Sequence, residues 1–124
     1  RKEIEYIIDV EIVDILRDES KLEFKREAEA EVIKENGSLV IKSFYPMNLL
    51  QKLSLLPEDV SEWKELVDSI MIDWNYDGNV LKPDIVDVPE RNAFVEGSYI
   101  IPEYADKIRI KITDLLSESK DLDI

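Results

Sequence analysis

The residue types best suited to chemistry lie in one stretch, DWNYDGNVLKPD, residues 73–84. Asp73, Asn75 and Asp77 alternate, Gly78 follows, and Asp84 closes the stretch at its twelfth position. Oxygen ligands at positions one, three and five, a glycine at the sharp turn and an aliphatic residue (Val80) after it are the spacing of an EF-hand calcium loop. Three features oppose that reading. Asp84 reaches less far than the usual glutamate, Pro83 and Pro89 bar an exiting helix, and only one copy of the motif is present. The run SIMIDWNYDG also alternates, with Ile70, Ile72, Trp74 and Tyr76 on one face and Met71, Asp73, Asn75 and Asp77 on the other. A strand that buries a Trp and a Tyr and ends in an Asp-Gly turn accounts for the same residues without an ion. The strand is the favoured reading; in the calcium alternative the ligands are Asp73, Asn75, Asp77 and Asp84.

Little other chemistry is open to the chain. Its 124 residues include no cysteine and no histidine. Disulfides, thiolate metal sites, cysteine nucleophiles and Ser–His–Asp machinery are therefore excluded. Glycines at 37, 78 and 97 alone cannot build a P-loop, a dinucleotide turn or a nucleophile elbow. Close carboxylate pairs carry no signal, because 29 acids guarantee them by density. Against 16 bases those acids give a formal charge of −13, which repels phosphate and suits a cation or a basic protein. No apolar run approaches the roughly 18 residues that span a bilayer, and the charged, alternating start is not a signal peptide.

The elements that must position these residues are mostly strands. Ile4, Tyr6, Ile8, Val10 and Ile12 share a face, and EFKREAEAEVIK sets Ala28, Ala30 and Val32 opposite Glu27, Glu29 and Glu31. Asn36-Gly37 supplies the turn of a hairpin returning through SLVIKSFYP. KIRIKIT directs Ile108, Ile110 and Ile112 inward and Lys107, Arg109 and Lys111 outward, with charges that complement the glutamate strand if the two pair. PEDVSEWKELVDSI predicts one inserted α-helix near residues 58–69, its stripe Val60, Trp63, Leu66, Val67 and Ile70 facing the core. Residues 48–56 fit either helix or buried loop, and the polar end SESKDLDI is expected to fray. Together these predict one mainly β domain over 1–124, an antiparallel β-sandwich of immunoglobulin-like type with minor α content. FYPMNLLQKLSLL is the largest apolar concentration, and core is the favoured reading. If Phe44, Tyr45, Leu49 and Leu50 are exposed, they form a partner-docking patch instead.

The run from FYPMNLL through IDWNYDG, continued by GSYIIPEYADKIRIKITDLLSE, resembles the C-terminal region of adenine-specific DNA methyltransferases, the modification subunits of type III restriction–modification systems. The likeness covers roughly residues 40–118. DWNYDG, GSYIIP and KIRIKITD are also similar to the closing strands of polycystic-kidney-disease-type β-sandwich domains. The methyltransferase catalytic motif (Asp/Asn-Pro-Pro-Tyr/Phe) and the Phe-x-Gly-x-Gly motif for S-adenosylmethionine are both missing; FYPM is no substitute. The resemblance thus implies a non-catalytic accessory domain of a longer, cytoplasmic enzyme, with no catalytic residue and no cofactor of its own. Its partner would be its own methyltransferase domain or a restriction subunit, not nucleic acid or membrane. A chain opening on Arg1 fits such a fragment.

Overall fold

The computed structural model describes residues 28–124. The strand expected over residues 4–12, the start of the alternating run at 23–27 and the basic cluster at 21–26 lie outside the described residues. The rest is mainly β, with two antiparallel sheets and one helix. One sheet has three strands in the order β1 (Glu29–Glu35), β2 (Ser38–Tyr45) and β5 (Ser98–Ile100). The other has four, in the order β4 (Ile85–Asp87), β3 (Val67–Asp73), β6 (Arg109–Asp114) and β7 (Ser119–Asp123).

The β1–β2 hairpin turns on Asn36 and Gly37, both at positive φ (52° and 77°), as its sequence requires. β2 carries its inward residues at uneven spacing: Leu39, Ile41 and Phe44. Strict alternation would turn Phe44 outward. The register slips instead, with Val32 opposite Ile41 and Glu31 opposite Ser43, so Lys42 is the extra residue of a β-bulge. β3 solves the same problem alike. Val67 pairs with Asp114 and Ser69 with Thr113, so Asp68 is skipped and Val67, Ile70 and Ile72 all reach the core.

Both sheets feed one core. Leu39, Ile41 and Phe44 from the first cluster with Val67, Ile70, Ile72, Ile110 and Ile112 from the second, while Ala28, Ala30 and Val32 pack at its margin. Burying such side chains stabilises the fold by about 1.5–3 kcal/mol each.

The helix lies elsewhere than its stripe predicts. Residues 57–66 form two 3-10 turns, Pro57–Asp59 and Trp63–Leu66, and the chain then runs directly into β3. Asp59 accepts the Leu56 N–H at 2.8 Å and caps the first turn, but Glu62 accepts the Lys64 N–H at 3.2 Å, a donor that a continuous helix would give to the Val60 carbonyl. The β-branched run from Val67 to Ile72 then favours a strand. The α-helix of the described residues is α1, Met47–Lys52, in the segment that sequence left ambiguous.

Two further expectations change. The glutamate strand and the lysine–arginine strand do not pair, because β1 adds to β2 whereas β6 lies between β3 and β7. The C-terminal end does not fray. It forms β7, pairing Ile110 with Leu122 and Ile112 with Lys120, and Leu122 and Ile124 pack on the core.

Candidate functional site

The stretch 73–84 begins at the last residue of β3 and wraps back to β4. Trp74, 2 % exposed, sits in the main core. Tyr76 does not continue that buried row. It is half-buried against Arg109, whose guanidinium stacks 4.1 Å from the ring centroid and donates to the Tyr76 hydroxyl at 2.9 Å. Arg109 also donates from Nε to Asp123 at 2.7 Å, tying β6 to β7.

The carboxylates of this loop are held apart by separate main-chain donors. Asp73, 3 % exposed, accepts the N–H of Asn75 at 3.0 Å on one oxygen and that of Lys82 at 2.9 Å on the other. Asp84 accepts the Trp74 N–H at 2.9 Å. Asp77 accepts from Asn79 and Val80 at 2.8 and 3.0 Å, and these two donors hold its carboxyl below the ordinary range. The loop is thus laced by Asx-type turns. Among the described residues no group of three or more His, Cys, Asp or Glu converges as a metal cluster would.

Of the proposed docking residues, Phe44 and Leu49 are 0 % exposed and Leu50 is 1 % exposed. Phe44 belongs to the main core. Leu49 and Leu50 form a second cluster with Leu66, flanked by Tyr45, Met47, Leu115 and Leu116. They are packing residues, and the exposed patch that a docking role requires is not found there. The physical reason is local: α1 folds this apolar run back between the 3-10 turns and the β6–β7 connection, where Leu115 donates its N–H to Leu66 O at 3.2 Å.

Two polar features were not anticipated. Asp87, at the end of β4, accepts the Tyr99 hydroxyl at 2.5 Å and the Glu96 N–H at 2.7 Å on the same oxygen, and Tyr99 accepts the Gly97 N–H at 3.2 Å. This ties an edge strand of one sheet to an edge strand of the other. Burial and the neighbouring Asp87 raise the Tyr99 pKa far above its ordinary value. The only sequence signal was the alternation in GSYII, which places Tyr99 inward without naming its acceptor. The second is Asp114, which accepts the N–H groups of Leu116 and Glu118 at 2.8 and 3.1 Å. Its pKa is pushed up to about 6 by burial, against the pull of those two donors. It borders a cleft of about 620 Å³ with Pro46, Met47, Asn48, Lys111 and Lys120. Lys111 and Lys120 stand among Asp114, Glu118 and Asp121 around that cleft, so it favours neither sign of ligand strongly.

Comparison with protein-family models, with curated proteins and with solved structures returns no match. No helix among the described residues is long and apolar enough to cross a membrane.

Proposed function

We propose that this chain is a non-catalytic, immunoglobulin-like β-sandwich module that works by protein contact. It serves as the accessory domain of a cytoplasmic DNA methyltransferase in a restriction–modification system. The strand orders 1-2-5 and 4-3-6-7 support the fold, since β2 crosses to β3 and β5 returns beside β2 in Greek-key fashion. So does Trp74, buried directly after β3, the strand at the place of the Trp-bearing strand of immunoglobulin domains.

The observation that carries the function is how the carboxylates are used. Asp73, Asp84, Asp87 and Asp114 brace main-chain turns, and the other acids outnumber the bases in a chain whose formal net charge is −13. A surface of that sign complements a cationic protein face and repels DNA. The basic face of the methyltransferase domain, or of a restriction subunit, is the contact that the family resemblance supplies. The segments bearing that resemblance, IDWNYDG and IRIKITDLLSE, run from the end of β3 into its following loop and along β6 into the β6–β7 connection.

The reading is tested first on the coding frame upstream of Arg1, where a methyltransferase catalytic motif is expected and its absence would overturn the reading, and then by co-expressing the chain with the domain that carries the motif, followed by size-exclusion chromatography and a DNA mobility-shift assay. Co-elution that salt weakens is expected, with no duplex binding by the isolated chain. Strong duplex binding at physiological salt would overturn it.

A further inference from the structure

We propose that the β4–β5 loop, residues 88–96, is the docking element of this module, and that it takes a cationic amphipathic segment of a partner protein. The inference rests on the interaction role proposed above and deepens it by naming the surface.

The loop is closed at its base. Asp87 holds the Glu96 N–H and the Tyr99 hydroxyl on one oxygen, and Val95, 2 % exposed, is sunk in the core. Within the loop, Ala93 donates to Glu90 O at 2.9 Å, and Asn92 takes a positive φ of 69°. A loop fixed in this way loses little conformational entropy on binding. It nonetheless leaves Val88 60 % and Phe94 43 % exposed. An aromatic and an aliphatic side chain displayed on a braced loop are the anchors of a protein interface.

The surroundings select the sign of the partner. Gly97, at φ +81°, lies so close to Trp63 and Lys64 that an added Cβ would stand 3.0–3.2 Å from their side chains. The loop therefore adjoins the 3-10 segment. Across VPERNAFVE and the adjoining SEWKEL there are four acids (Glu90, Glu96, Glu62, Glu65) against Lys64 and Arg91. Apolar anchors within an acidic surround fit a segment with an apolar stripe flanked by lysines or arginines. A second copy of the chain would bring like charge against like.

The test titrates the ¹⁵N-labelled chain with a synthetic leucine–lysine amphipathic helical peptide, with calorimetry in parallel. Saturable binding with amide shifts over residues 86–97 is expected. Phe94→Ser and Val88→Ser should each weaken it by about tenfold while leaving Tm unchanged. Shifts confined to another face would overturn this inference and leave the interaction role standing. Binding untouched by both substitutions, no saturable binding, or self-association through the loop would also overturn it.

Discussion

At the scale of single residues, Asp114 and Tyr99 are buried titratable groups whose neutral forms the fold favours. Asp114 is 2 % exposed, and its pKa of about 6 lies above the ordinary 3.8. Between those values the folded chain holds the proton more firmly than the unfolded chain. The contribution of Asp114 to stability therefore falls as pH rises through that window and stays low above it. Asp114→Asn keeps the oxygen that accepts the Leu116 and Glu118 N–H groups and removes the charge. It should gain up to roughly 2–3 kcal/mol at pH 7.5 and nothing below pH 4, measured by urea unfolding at both pH values. A loss at pH 7.5 would show that the charge itself is useful. Tyr99 works through its hydroxyl. Tyr99→Phe leaves Asp87 and the Gly97 N–H without it and should cost about 1–2 kcal/mol. In an alkaline absorbance titration of the wild type, one tyrosine should ionise only as the fold is lost, and that component should vanish in the variant. Neither role was legible beforehand. Burial of Asp114 and the acceptor of Tyr99 both arise where two sheets meet, and a linear pattern reports on one element at a time.

Elements announce themselves in sequence to the extent that their hydrogen bonds are local. The Asn36-Gly37 hairpin and the inward Ile108, Ile110 and Ile112 could be read directly, because turn chemistry and alternation suffice. Residues 58–69 misled, because Val60, Trp63, Leu66 and Ile70 meet the core equally well from 3-10 turns and a strand. Only Glu62, capturing the Lys64 N–H within the expected helix, distinguishes the two. β7 was missed since its inward row, Lys120, Leu122 and Ile124, opens on a charge. Truncation before Ser119 should therefore lower Tm markedly, as it strips the outer partner of β6 and the Arg109–Asp123 contact; an unchanged melt would mean a loose tail. The β2 bulge makes a sharper prediction. Removing Lys42 leaves Ile41 opposite Val32 and Phe44 opposite Ala30, so it should cost about 1 kcal/mol or less. Removing Val40 instead sets Leu39 beside Ile41 on opposite faces, and several kcal/mol should be lost as one of them leaves the core. Circular-dichroism melts of the two deletions compare them directly.

For the whole molecule, the excess of acid governs behaviour in solution. Self-repulsion at a formal −13 should make Tm rise by a few degrees as sodium chloride is added, until screening is complete. The loop at 73–84 is then judged against that background. Millimolar calcium should do no more than magnesium at equal ionic strength, and Asp73→Ala should lower Tm equally with or without calcium. A calcium-specific rise that this variant abolishes would restore the ion-binding alternative. The order of strands has one further consequence, which concerns synthesis. The three-stranded sheet cannot be completed until β5, residues 98–100, has been made, after two strands of the other sheet. β3 likewise waits for β6, at residues 109–114. On the ribosome, then, Ile70, Ile72 and Trp74 leave the exit tunnel well ahead of the β6 isoleucines that pair beside β3. The nascent chain must carry these apolar residues without their sheet partners until β6, residues 109–114, has been made.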